Sequence, residues 1–261
     1  MPGGRVAGFE VAVCFGGVLT GVGRCCNAAF RALTNTLRSG DMRSMTTALA
    51  EFPAMSAFSP PALAASGLGL SRGGVRLVEG LDLTLEPGGA LLLVGPNGTG
   101  KTTLMRALAG FVRPDAGTIR IGERAPGAIA ADTLGWLGHA DGLKPGETLR
   151  HALRFWADIH GTPRTAVLPL MRLMAIDALI DRPAGQLSRG QQRRAGLVRV
   201  ALANRPLWLL DEPAGPLDGT GRDRLAELVA WHRGRGGSVI AATHQPLDWP
   251  DARTIDLGDY R

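Results

Sequence analysis

One octapeptide, Gly-Pro-Asn-Gly-Thr-Gly-Lys-Thr at residues 95–102, constrains the fold of this 261-residue chain more than any other feature. It matches the pattern G-x-x-x-x-G-K-[ST], in which a glycine-rich turn points successive backbone N–H groups at one anion. The apolar run Ala90–Val94 before it reads as a buried parallel strand, and a helical pattern over Lys101–Gly110 follows it. This order of strand, turn and helix N-terminus predicts a phosphate cradle in a parallel α/β sheet.

The loop supplies a first set of candidate ligands for a nucleoside triphosphate. Lys101 is expected to reach the β- and γ-phosphates, and the Thr102 hydroxyl is expected to ligate Mg²⁺. The expected cofactors are therefore ATP and Mg²⁺. The candidate nucleotide-binding residues are Gly95, Pro96, Asn97, Gly98, Thr99, Gly100, Lys101, Thr102 and Thr103.

A second apolar run, Leu207–Leu210, ends in two adjacent acids. We expect this strand to lie beside the strand of the phosphate loop and to deliver Asp211 to the coordination sphere of Mg²⁺ at the carboxyl edge of the sheet. Glu212 then faces the γ-phosphate, where a carboxylate can orient and deprotonate the attacking water. His244 follows the apolar run Val239–Ala242 and is a candidate for a second catalytic group there.

The remaining pattern completes the predicted architecture. Leu81–Leu85 alternates like a half-buried antiparallel strand, and Ile119–Ile121 is expected to pair nearby. Apolar stripes at helical spacing predict helices over Thr148–His160 and Arg189–Ala203. The sequence therefore predicts an α/β domain with an antiparallel β subdomain and a helical insertion at about residues 140–190.

Leu-Ser-Arg-Gly-Gln-Gln at residues 187–192 resembles the signature sequence of the ABC ATPases, a class of P-loop NTPases. The resemblance covers about residues 63–257. In that family two ATP-binding domains close head to tail, and each signature loop caps the ATP of the other. The resemblance thus implies a homodimer in which the residues Ser188, Arg189, Gly190 and Gln191 act across the interface, Asp218 occupies the loop that contacts the partner copy, and His244 is the switch histidine.

Two positions depart from the family pattern. The family places an aromatic residue upstream of the phosphate loop to stack on adenine, whereas Leu68–Gly74 contains none and offers only Arg72 as a stacking group. The glutamine that links Mg²⁺ to the helical insertion is replaced by His139.

The sequence of these motifs is most similar to that of the ATP-binding subunits of cytochrome c maturation systems, the haem exporter ATPases. That resemblance rests on Gly138-His139, on Gln-Gln-Arg-Arg at 191–194, on Trp208 and on Thr-His-Gln at 243–245. It implies integral membrane subunits as partners, a peripheral position on the cytoplasmic face of the inner membrane, and no direct binding of haem by this chain.

Two other functions stay open at this point. The chain resembles the ATPase of another efflux or import system just as well in its chemistry. A non-transport ABC protein acting on ribosomes or DNA is disfavoured, because the chain has one phosphate loop and no long heptad run.

The basic composition does not indicate a nucleic-acid partner. The net charge is +6, but all except two of the 29 basic residues are arginines scattered among acids, which is typical of a solvated surface. The three cysteines, Cys14, Cys25 and Cys26, precede the main domain, so it has neither a disulfide framework nor a cysteine zinc site.

The main domain is predicted over residues 55–261, after an extension of different composition over residues 1–54. The apolar stretch Val6–Gly23 is marginal as a membrane helix and weak as a signal peptide. We therefore favour a start codon assigned too early, with translation beginning at Met45 or Met55. The other interpretation is a disordered extension.

The Thr148–His160 helix, with Leu149, Leu153 and Trp156 on its apolar stripe, is a candidate contact for the membrane partner. The alternative is an ordinary buried helix face.

Overall fold

Two β-sheets of opposite kind organise the part of the chain that the computed structural model describes, which is residues 57–59, 61–125 and 130–260. The first sheet is antiparallel with the strand order β2-β1-β4, and the second is parallel with the order β5-β6-β7-β3-β8. The predicted extension over residues 1–54 lies outside the described residues. The strands are β1 (Leu63–Arg72), β2 (Val75–Leu85), β3 (Ala90–Val94), β4 (Ala116–Ile121), β5 (Leu134–Leu137), β6 (Leu207–Asp211), β7 (Ser238–Ala242) and β8 (Arg253–Asp256).

Helices lie in the connections between most of the parallel strands, whereas residues 243–252, which join β7 to β8, form none. Two of them, α3 and α4, fall within residues 140–190, for which the sequence predicts a helical insertion. Within the described residues, no helix is both long enough and apolar enough to cross a membrane. The helices are α1 (Lys101–Leu108), α2 (Ala130–Thr133), α3 (Leu149–His160), α4 (Val167–Leu173), α5 (Arg189–Leu202) and α6 (Gly219–Gly234).

Alternate side chains of the parallel strands enter two different hydrophobic clusters. Leu91 and Leu93 of β3 pack with the antiparallel sheet and α1, whereas Ala90 and Leu92 belong to the cluster built with helices α3 to α6. A strand buried on both faces carries an unbroken apolar run. This is why β3, β6 and β7 are the three strands that the sequence identifies within one residue at each end.

The predicted fold class is confirmed, with two differences in detail. The acid-ending strand β6 does not lie beside β3, because β7 separates them in the sheet. The prediction missed β1, whose alternation is broken by shifts in register near Gly67 and Gly69 in its pairing with both neighbours. The predicted Ile119–Ile121 segment belongs to β4, which pairs with β1 in the same antiparallel sheet as β2.

The stripe of α3 faces inward. Leu149 and Leu153 are fully buried, so the interpretation of this stripe as a partner-binding surface is wrong for them. Trp156 is half-buried and donates its indole N–H to the Gly142 carbonyl at 3.3 Å. The exposed apolar side chains of α3 are instead Phe155 and Ile159, at 49% and 55% exposure.

A buried histidine side chain packs against β6. His232 of α6 stacks on the Trp208 ring with centroids 3.8 Å apart, and its Nε2 lies 3.2 Å from the Ser238 carbonyl oxygen. Burial lowers the pKa of His232 to about 3 from its ordinary value of 6.5, since a charged ring there would lose its hydration. The folded chain therefore holds this histidine neutral.

We expect acid to destabilise the fold through His232. Between pH 6.5 and 3 the unfolded chain binds this proton and the folded chain does not, so stability falls as pH falls. The share of this one group is about 2 kcal/mol between pH 7 and pH 5. Urea unfolding at the two pH values, compared with His232→Phe, measures it. An unchanged pH slope in the variant would exclude His232 as the cause.

Candidate functional site

The phosphate loop joins the end of β3 to the start of α1. Gly100 caps α1 with a φ of 99°, and a Cβ there would lie 3.0 Å from the Cβ of Leu77. Glycine is required at this position because other residues rarely adopt such a φ and because the space is filled. The loop thereby brings the N-terminus of an eight-residue helix to the carboxyl edge of the parallel sheet.

Lys101 folds back over the loop that precedes it. Its side chain is buried, and Nζ donates to the carbonyl oxygens of Gly95 and Pro96 at 2.6 and 3.1 Å. Thr99 closes the turn by donating its hydroxyl to the Pro96 carbonyl at 3.0 Å. These three hydrogen bonds hold the loop in a curved form.

Asp211 meets the phosphate loop from the other side. Its Oδ2 accepts a hydrogen bond from Thr102 Oγ1 at 3.0 Å and lies 3.6 Å from His139 Nε2. Asp211 is buried and ends β6, while His139 follows β5 and is largely exposed. A hydroxyl, a carboxylate and an imidazole therefore converge although β7 separates β6 from β3.

Glu212 and His244 form a second pair at the same edge. His244 Nδ1 lies 2.9 Å from Glu212 Oε2, and the Glu212 side chain is 19% exposed. The Glu212 backbone has a φ of 50°, in the left-handed region that non-glycine residues rarely occupy. Its N–H donates to the Ala242 carbonyl of the neighbouring strand β7 at 2.8 Å.

One open cavity of about 470 Å³, a size typical of small-molecule sites, is lined by Lys101, Thr102, His139, Glu212 and His244 among others, and Asp211 lies behind Thr102 without lining it. The loop supplies six of the lining residues, and the rest come from the antiparallel sheet, from the end of β5 and from the ends of β6 and β7. The lining residues are Arg72, Leu77, Asn97, Gly98, Gly100, Lys101, Thr102, Thr103, His139, Glu212 and His244.

The signature segment lies elsewhere. Ser188 caps α5 and accepts from the N–H of Gln191 at 3.2 Å, while Gln191 Oε1 accepts from the N–H of Ser188 at 2.9 Å, a reciprocal capping box. Asp218 caps α6 by accepting from the Gly221 N–H at 2.7 Å. Neither Asp218 nor any residue from Ser188 to Gln191 lines the cavity described above.

Sequence reasoning missed two arginines of α5 that donate to carbonyl oxygens inside the fold, one buried and one half-buried. Arg193 is 3% exposed and donates to Gly138, Asp141 and Glu212, and Arg199 donates to the carbonyls of Trp136 and Asp141. The expectation that the arginines form a solvated surface is wrong for these two. Their signal in the sequence is weak, because an arginine in a helical pattern is typical of an exposed face.

The comparisons with known proteins define the class. A sequence profile of the ABC transporter family matches residues 78–215. The chain belongs to this family and is an ATP-binding subunit that hydrolyses ATP.

Similar proteins in other organisms agree with this assignment. The chain is 65% identical over 211 residues to the cytochrome c biogenesis ATP-binding export protein CcmA of Maricaulis maris, an alignment that covers 81% of this chain and 99% of that protein. It is 46% identical over 199 residues to the protein of the same name from Paracoccus denitrificans, covering 76% and 90%.

Solved structures share the fold at low sequence identity. A putative ABC transporter ATP-binding protein from Pyrococcus furiosus superposes with a TM-score of 0.69 at 21% identity, covering 76% of this chain and 98% of that one. A bacterial ABC transporter cassette solved as a dimer gives 0.66 at 19%, covering 75% and 95%.

Proposed function

We propose that this chain supplies ATP hydrolysis to a membrane-bound export complex for cytochrome c biogenesis, with haem as the passenger. The observation that carries the catalytic part is the convergence of Lys101, Thr102, Glu212 and His244 at one cavity, with Asp211 hydrogen-bonded to Thr102. The passenger system is supported by the names of the similar proteins from Maricaulis maris and Paracoccus denitrificans.

The triphosphate of ATP binds in the loop formed by residues 95–103. Lys101 Nζ, which now donates to two carbonyl oxygens of the loop, turns to the β- and γ-phosphates when these are present. The backbone N–H groups of the loop and the N-terminus of α1 face the same anion. Each of these groups is positive or partly positive, so together they match the charge of a triphosphate.

The donor set beside Asp211 fits Mg²⁺. This ion prefers oxygen ligands and keeps several waters, and the Thr102 hydroxyl and the Asp211 carboxylate already meet at 3.0 Å. His139, in place of the usual glutamine, lies 3.6 Å from the same Asp211 oxygen and would be the third group beside the ion. Thr102 and Asp211 would hold the ion, which would supply positive charge beside the triphosphate.

Glu212 acts as the base that orients and deprotonates the attacking water, and His244 holds its carboxylate. A carboxylate constrained by one imidazole at 2.9 Å has fewer orientations than a free one, which favours a productive position for the water. His244 is the group that senses the γ-phosphate from the end of β7.

A second copy of the chain completes the site. The signature residues Ser188 to Gln191 do not line the cavity of their own chain, whereas their capped helix N-terminus is suited to an anion. Head-to-tail pairing brings this N-terminus over the ATP of the other copy, and Asp218 lies in the loop between them. The dimeric bacterial cassette with the same fold supports this arrangement.

The complex places the chain at the cytoplasmic face of the inner membrane, bound to integral membrane subunits. The exposed Phe155 and Ile159 of α3, four residues apart on one helix face, are the contact that we assign to such a subunit. This chain powers the movement of haem without binding it.

Removing the base should separate nucleotide binding from turnover. We expect Glu212→Gln to retain ATP and to accumulate a closed dimer, while turnover falls by at least roughly 100-fold, the usual share of a general base. Lys101→Ala should instead weaken ATP binding by roughly 10-fold or more, because a charge-assisted contact is lost. Phosphate release, nucleotide titration and size-exclusion chromatography measure these effects. Undiminished hydrolysis by Glu212→Gln would remove Glu212 from this role.

Arg72 should recognise the base rather than the phosphates. It lines the cavity at the end of β1, and a guanidinium stacked on adenine contributes about 0.5–2 kcal/mol. We expect Arg72→Ala to weaken ATP binding several-fold, Arg72→Trp to restore it, and tripolyphosphate binding to stay unchanged in both. Arg76→Ala is the matched control, since Arg76 pairs with Glu79 and does not line the cavity. An equal loss of tripolyphosphate binding would assign Arg72 to the phosphates.

The passenger system is tested in cells that lack the gene. We expect loss of c-type cytochromes, detected by haem staining, with restoration by the wild-type chain and not by Glu212→Gln. Phe155→Glu or Ile159→Glu should also fail to restore them and should leave the membrane fraction, while the purified variants still bind ATP.

Leu149→Glu is the contrasting variant, because a charge at this buried position should unfold the chain. Normal c-type cytochromes in the deletion strain would overturn the assignment of the passenger system. Retention of both surface variants at the membrane would overturn the assigned contact.

A further inference from the structure

Arg193 of α5 joins three segments of the site although it does not line the cavity. Its NH1 donates to the Gly138 carbonyl at 2.7 Å and to Asp141 Oδ1 at 2.9 Å. Its NH2 donates to the Glu212 carbonyl at 2.9 Å and to the carbonyl of Asp211. The guanidinium is therefore fixed between the segment that carries His139 and the end of β6.

The charge of Arg193 is balanced inside the protein. The side chains of Arg193 and Asp141 are 4% and 8% exposed, so each has exchanged water for the other. A buried charge persists only when it is paired and hydrogen-bonded, and here the carboxylate and three carbonyl oxygens accept from the two terminal nitrogens of the guanidinium, while its Nε–H has no partner among the described residues. Only a planar fork with several donors reaches acceptors on two separate segments at once, which a lysine ammonium does not.

The Glu212 backbone needs such support. Its φ of 50° is unfavourable for a residue with a Cβ, and this conformation decides where the carboxylate points. The N–H of Glu212 is held by the Ala242 carbonyl and its carbonyl by Arg193, so both of its backbone polar groups are fixed.

We infer that Arg193 is a positioning residue that holds the Glu212 carboxylate and the His139 segment in one fixed arrangement. The inference rests on the proposed role of Glu212 as the base. Because α5 begins with the signature segment, Arg193 also joins the helix that caps one ATP to the carboxylate that acts on the other.

The test compares kcat with ATP affinity in Arg193→Lys and Arg193→Met. We expect kcat to fall roughly 10- to 100-fold, since small displacements of a catalytic group have effects of this size. The Kd for ATP should stay within about threefold, because no contact of the phosphate loop is removed. Arg193→Lys keeps the charge opposite Asp141 and so guards against unfolding, which thermal denaturation monitors.

Arg194→Met is the matched control. Arg194 is the next residue of α5, and its NH1 contacts the carbonyls of Met174 and Ala175 rather than the site. We expect its kcat to stay within about threefold of wild type. The inference is overturned if Arg193→Lys folds with normal kcat, if Kd rises as much as kcat falls, or if Arg194→Met loses kcat equally.

Glu212→Gln separates this inference from the proposed function. If that variant hydrolyses ATP normally, the base assignment fails and the inference fails with it. If it is inactive while Arg193→Lys folds and turns over normally, only the positioning role fails.

Discussion

The hydrogen bond from Thr102 to Asp211 is the contact on which the site depends. It joins the first turn of α1 to the end of β6 across a sheet in which β7 lies between β3 and β6. The bond can form because parallel strands end at one edge and the helix after the loop leans over that edge. This bond links the phosphate loop directly to the carboxylate at the end of β6.

The sequence predicts this edge well, for physical reasons. Strands β3, β6 and β7 are buried on both faces, so their apolar runs stand out, and the loop and acids follow directly. Apolar runs do not determine the order of the strands in a sheet, so the predicted position of β6 beside β3 is wrong. β1 is less visible still, because small residues and shifts in register remove the alternation that marks a half-buried strand.

Side-chain direction on helices was harder to predict than helix position. The stripe of Leu149 and Leu153 was correctly found, but a stripe alone does not say whether a partner or the chain itself covers it. In this fold α3 packs on α5, and the apolar residues left in water lie on another face, at Phe155 and Ile159. The contact that we propose for a membrane subunit therefore uses the residues that break the amphipathic pattern.

The arginines show the same limit. A chain with 29 basic residues, nearly all arginine, invites an electrostatic explanation, yet several guanidiniums act inside the fold as donors to carbonyl oxygens. Arg199 binds the Trp136 and Asp141 carbonyls, Arg233 binds that of Gly88, and burial lowers the pKa of both. Carbonyls at the ends of parallel strands need donors, and an arginine on a packed helix supplies two or more from one side chain. Part of the positive charge of this chain therefore belongs to arginines that bind backbone carbonyl oxygens inside the fold. Fewer arginines are left to form a basic surface for an acidic partner.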